Sequence, residues 1–232
     1  MIRQFYEKLK PFRFRLAVFG LLCGASVASV MLYRLRVMMS GSMDYLFLLW
    51  NLFLAWLPLT MAYIASSFAS RRRYILLIVV PAAALWLLFF PNAPYILTDL
   101  FHLRHPREHV PVWFDTLLIN WFAWTGLLLG VFSLSLMHDI VRRAFGRVTG
   151  WLFVFSVGAL CGVGIYIGRF LRWNSWDVIF HPVERLNNLF YYAVNPSLQS
   201  VLFVGVFSAL FIFIYTTTYS FGLLFKEQQE TQ

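Results

Sequence analysis

The sequence predicts an all-α, polytopic membrane protein: six transmembrane helices, with short interfacial helices in the loops of one face. Three observations carry this. Of 232 residues, 60% are hydrophobic and only 12% charged, far more apolar surface than one globular core hides from water. Six stretches contain almost no charge and approach or exceed the roughly 18 residues that cross a bilayer as a helix. The cations sit in short clusters between those stretches, where membrane anchors belong.

The elements follow in chain order. Residues 16–33 form the first span, entered from a basic stretch holding Arg3, Lys8, Lys10, Arg13 and Arg15. Such an entry resembles a secretory signal, with Ala25-Ser26-Val27-Ala28 as a cleavage-like segment, and an uncleaved anchor is expected. Leu22 is too large for a lipoprotein cleavage box ahead of Cys23. The second span, 45–69, contains Pro58, and the third, 74–90, contains Pro81; each ring removes a helical hydrogen bond and predicts a bend. The fourth, 114–137, opens beside Asp115, and the fifth and sixth cover 151–168 and 197–225. Residues 1–232 read as a single transmembrane domain. No internal repeat supports the inverted plan of many secondary transporters. Cys23 and Cys161 fall mid-span without metal-ligand spacing and are expected to serve packing.

With the N-terminus in the cytoplasm, one side of the membrane receives twelve Lys and Arg and four acids, the other seven and six. The positive-inside rule then puts both termini in the cytoplasm. The net charge of +9 is thereby a topology signal, which argues against nucleic acid as a partner and leaves membrane lipids. No pattern specifies an oligomeric state.

The opposite face carries the distinctive chemistry. Its two longer connections, 91–112 and 169–196, hold most of the prolines and four of the five histidines, so a working surface is expected there. Pro182 opens a predicted interfacial helix with Val183, Leu186, Leu189 and Phe190 on one side. Depth follows from helix rise: Asn51 lies about 9 Å down the second span at about 1.5 Å per residue, Asn120 at similar depth in the fourth, and Asp115 above it. Amides that deep are expected to face the bundle.

Two segments are densest. In Phe89-Phe90-Pro91-Asn92-Ala93-Pro94-Tyr95-Ile96-Leu97-Thr98-Asp99, the prolines predict a turn and Thr98-Asp99 a short helix start. In Gly168-Arg169-Phe170-Leu171-Arg172-Trp173-Asn174-Ser175-Trp176-Asp177, Arg169 and Arg172 would share one face if the fifth helix continues, making a fork for phosphate or carboxylate. The expected ligand-binding set is Asn51, Asn92, Asp115, Arg169, Arg172 and Asn174, with Asp99 and Asp177 as the candidate catalytic carboxylates. Asp99, His102, His105 and Glu108 recur at intervals of three, but Pro106 interrupts their helix, so no metal site is expected. Nor does any motif call for a cofactor.

These motifs, together with Trp50-Asn51 and Trp113 with Asp115, resemble a family of bacterial multi-pass membrane proteins catalogued as a domain of unknown function, from about Tyr45 onward. The resemblance implies the bacterial cytoplasmic membrane and no particular activity. The functional expectation is therefore residue-based: a polar Arg/Asp/Asn pocket on the extracytoplasmic side that binds or processes an anionic lipid-linked substrate. A small-solute transporter and a non-catalytic partner of another membrane protein are the alternatives. Ion coupling is disfavoured because the span centres lack ionisable groups.

Overall fold

The computed structural model describes residues 2–104, 110–173 and 180–230. All regular structure in these residues is helical: α1 (Ile2–Ser40), α2 (Phe47–Phe68), α3 (Val80–Phe89), α4 (Asn92–Tyr95), α5 (Val112–Phe145), α6 (Arg147–Tyr166), α7 (Pro182–Val194) and α8 (Leu198–Glu230). Six stretches are long and apolar enough to cross a membrane: Leu16–Ser40, Phe47–Phe68, Arg72–Leu103, Val112–Phe145, Arg147–Leu171 and Leu198–Leu224. The expected six-span, all-α architecture is borne out, and the chain is a multi-pass membrane protein. Leu76, Met38, Leu21 and Leu198 stand more than 70% exposed, as side chains meant for lipid do.

The bundle is organised around α5, which packs against α1, α2, α6 and the segment Ile96–Arg104. One apolar cluster joins α2, α3, α5, α6 and α8 through Trp86, Phe90, Leu134, Val154, Phe211 and Tyr215. A second joins α1, α2 and α5 through Leu22, Leu48, Leu52, Leu118 and Phe122. Two buried polar pairs link neighbouring helices, although His138 Nε2 has no hydrogen-bond partner among the described residues. Trp86 Nε1 donates to Ser133 Oγ at 2.9 Å, and His138 Nδ1 lies 2.8 Å from the Tyr215 hydroxyl.

The third crossing departs from a simple 74–90 helix. A 3₁₀ turn (Arg72–Tyr74) and a π turn (Ile75–Val79) precede α3, with Val80 N donating to Ile75 O. Pro81 thus falls in the first turn of α3, where the hydrogen bonding changes from π to α. Pro58, by contrast, lies inside continuous α2. The fourth span is longer than 114–137 at both ends and stops at Gly146, whose φ of +91° turns the chain directly into α6.

The proline-rich segment after α3 is no surface loop. Phe90, Ala93, Ile96 and Thr98 are fully buried and Asp99 nearly so. Two short elements, α4 and a 3₁₀ stretch (Ile96–Arg104), fold this segment back against α2 and α5. Gly126 of α5 permits the approach, because any β-carbon there would collide with the Ala93 carbonyl and the Ile96 side chain. Replacing Gly126 with leucine should therefore push the segment off α5 and shift the melting temperature down by several degrees. An unshifted transition by differential scanning fluorimetry would contradict that close packing.

Candidate functional site

Three sequence-distant groups meet at the end of the bundle where α2 begins. Asn51, one turn into α2, donates from Nδ2 to Asp99 Oδ2 at 2.8 Å. Arg169, in a π turn (Ile167–Leu171) that ends α6, donates from Nη1 to Asp99 Oδ1 at 3.2 Å. Each oxygen of the carboxylate thus accepts one hydrogen bond from a different helix, which is what a buried charge requires. The buried Thr98 donates to the Tyr95 carbonyl at 2.7 Å and fixes the turn that presents Asp99.

His102, one 3₁₀ turn on, completes the cluster. Its Nδ1 lies 3.1 Å from the Asp99 carbonyl oxygen and 3.3 Å from Arg169 Nη2. A ring nitrogen cannot donate to the carbonyl and accept from the guanidinium together. The position of the imidazole proton therefore decides whether His102 is tied to its own backbone or to Arg169. Phe47 holds the ring from the other side at a centroid distance of 4.6 Å.

Beside this cluster lies a cavity of about 490 Å³, within the ordinary size range of ligand sites. Leu54, Phe90 and Cys161 belong to its lining and are nearly inaccessible, whereas Trp50, Leu87 and Leu160 belong to it and stand 39–52% exposed. Asn51, Asn92, Tyr95 and Trp173 also line it, as does Arg172. Cys161 is thus a packing residue, as expected, and at the same time part of the cavity wall.

The two arginines part company. The fork expected of Arg169 and Arg172 requires a continuing α-helix, but the helix unwinds through the π turn, and Arg172 adopts φ 56°, ψ 34°. That left-handed conformation costs a non-glycine residue roughly 1–2 kcal/mol, and it ends the helical spacing that the fork requires. Arg169 goes to Asp99. Arg172 goes to the cavity, where among the described residues its guanidinium has no hydrogen-bond or ion-pair partner.

Asn51, Asn92 and Arg172 therefore line one cavity, and Asp99 and Arg169 join it through Asn51. Asp115 stands apart: its Oδ1 accepts from Arg36 Nε at 3.2 Å. Asn120 does not reach across the bundle, because its amide donates to the Thr116 carbonyl of its own helix at 2.9 Å. Asn174 and Asp177 lie outside the described residues, as do His105 and Glu108.

Sequence reasoning missed Arg36. It is wholly buried and sits between Asp115, Asp44 at 3.5 Å and the Tyr45 ring at 4.7 Å. Its other guanidinium nitrogen, Nη1, donates to Ser40 Oγ and the Ser42 carbonyl. A signal existed: two serines and an aspartate within eight residues of an arginine at a span end describe a knot rather than a simple anchor.

The sequence pattern of the family described as "Protein of unknown function (DUF1361)" matches residues 50–214. The chain belongs to this family. In DUF1361 terms, the matched region takes in the whole cavity lining and the Asn51–Asp99–Arg169–His102 cluster, whereas α1 with Arg36 precedes it. No curated protein and no solved structure matches the chain.

Proposed function

We propose that this protein binds an anionic, lipid-linked ligand in the cavity beside Arg172, on the extracytoplasmic side of a bacterial cytoplasmic membrane. One observation carries the reading: a guanidinium without a protein counter-ion among the described residues borders a cavity whose other walls are mainly apolar. Such a pairing of one cation with apolar surface suits an amphiphile whose charged head needs a partner and whose body does not. Asn51 and Asn92 would add hydrogen bonds beside the head. Asp99 in this reading keeps Asn51 and Arg169 in place, and a general-base role would first require release from one of them.

Arg172→Ala tests the proposal. In nanodiscs of zwitterionic lipid, added anionic lipid should raise the melting temperature of the wild type by several degrees and leave the variant unmoved, with both melting alike in its absence. A wild type that shows no anion-dependent shift would sink the reading.

The side of the membrane is testable independently. A cytoplasmic reporter fused after Phe225 should be active and a periplasmic one silent, as the twelve-to-seven distribution of cations requires. Periplasmic activity there would move the cavity to the cytoplasmic side.

A further inference from the structure

A second cation adjoins the cavity without belonging to its lining. Arg185, in the opening turn of α7, places its guanidinium carbon 4.9 Å from the centre of the Trp173 ring. Trp173 lines the cavity beside Arg172, its neighbour in the chain, and successive Cα atoms are only about 3.8 Å apart. Two guanidiniums therefore adjoin one indole at the edge of the cavity, Arg172 through the backbone and Arg185 through the ring.

Stacking on an aromatic ring engages the flat face of a guanidinium and leaves its N–H groups free at the edge. Arg185 keeps that edge available. Its Nε is buried and has no hydrogen-bond partner among the described residues. Its Nη1 lies 3.7 Å from a carboxylate oxygen of Glu184, which is too far for a hydrogen bond. The Glu184 side chain is 64% exposed, so water screens most of that attraction. Other described carboxylates at this end of the bundle are engaged elsewhere: Asp99 by Asn51 and Arg169, Asp115 and Asp44 by Arg36. A buried N–H without an acceptor is costly, and beside Arg172 the complement of both cations is a group with two negative charges.

Resting on the binding reading above, we infer that Arg185 is a second anion-binding residue of this site, and that the ligand head is a terminal phosphate rather than a phosphodiester. A terminal phosphate carries about −1.5 to −2 charge near neutral pH, its second pKa being about 6, and offers three acceptor oxygens. A diester carries a single charge and has two of its oxygens blocked by carbon. Only the terminal group meets two guanidiniums with enough charge and enough free oxygens. The inference separates a phosphate-terminated lipid from the diester headgroups of ordinary anionic bilayer lipid, and it gives α7 a part in recognition.

The experiment compares dioleoyl phosphatidic acid with dioleoyl phosphatidylglycerol, which share their chains and differ in head charge, and with inorganic phosphate. Affinities are read by native mass spectrometry from protein in zwitterionic nanodiscs at about pH 8, where the terminal phosphate holds its second charge. Phosphatidic acid should bind about tenfold or more tightly than phosphatidylglycerol, the ratio that one charge-assisted hydrogen bond supplies, and inorganic phosphate should bind weakly. Arg185→Gln should melt like the wild type and lose the preference, leaving phosphatidylglycerol binding nearly unchanged. If that variant fails to fold, Arg185→Met makes the same test, since its apolar chain still packs on the indole. Arg172→Ala should weaken both lipids. Equal binding of the two lipids by the wild type, still dependent on Arg172, overturns the terminal-phosphate inference and leaves the binding site standing. A preference that survives in folded Arg185 variants removes Arg185 from the site. Inorganic phosphate bound as tightly as phosphatidic acid, and through both arginines, would keep the head chemistry and overturn the lipid-linked reading. Binding of no probe in an Arg172-dependent manner removes the underlying reading as well.

Discussion

Replacing Arg36 with methionine should lower stability by roughly 3–5 kcal/mol, the usual loss when one partner of a buried ion pair is deleted. The arginine side chain is fully enclosed and Asp115 is 6% exposed, so removal of the cation leaves a carboxylate in the bundle without water to solvate it. Asp44 is 37% exposed, and its share of the interaction is small because solvent screens it. The informative comparison is Arg36→Met against Arg36→Met/Asp115→Leu. Removing both charges should recover most of the loss, since apolar replacement of an entire buried pair is often near neutral. Unfolding titrations in mixed micelles measure both. A double variant no better than the single one would show that Arg36 acts through Ser40, Ser42 and Tyr45 rather than through Asp115.

Asp99→Ala should be comparably damaging, again on the order of 3–5 kcal/mol, and for a different structural reason. Asp99 joins α2 to the end of α6, so its loss strands the Asn51 amide and the Arg169 guanidinium together. Arg169→Ala should cost less, because Arg169 is 15% exposed and Asp99 keeps the Asn51 hydrogen bond. Asp99→Asn should fall between: its oxygen still accepts from one donor, while its amide group faces the other. This ordering, alanine at 99 worst, alanine at 169 and asparagine at 99 milder, is read from melting temperatures of the three variants. A harmless Asp99→Ala would mean that the carboxylate does not hold the two helices.

Much of this arrangement is written in the residues. Charge-free runs define six crossings because the bilayer imposes one length on every span, and Pro182 with its apolar face defines α7. Helix rise puts Asn51 in the same half of the membrane as the end of the fifth span, where Arg169 follows, and a deep amide seeks donors or acceptors off the lipid face. The rest depends on long-range packing. Whether the segment from Pro91 to Leu103 lies on the surface or inside is decided by Gly126, on a different helix, and nothing local distinguishes the two. Neither π turn has a sequence mark, so the divergence of Arg169 from Arg172 is invisible at the level of spacing. Arg36 was obscured by position, because a cation at a span end ordinarily signals topology and only its partners Asp115 and Asp44 reveal otherwise.

The attachment of α8 bears on how the chain assembles. It packs chiefly on α6, where Gly158 and Gly162 leave room for Ile212, Ser208 and the Val204 carbonyl of α8. Gly-x-x-x-Gly spacing of this kind lets two helices approach within backbone contact inside lipid. Because α8 leaves the ribosome after the five preceding spans, it arrives when the cavity walls and the Asn51–Asp99–Arg169 contacts, all built from earlier segments, are already in the bilayer. Bulky residues at 158 or 162 would therefore trap a biosynthetic intermediate with its site formed and α8 undocked, rather than derange the site itself.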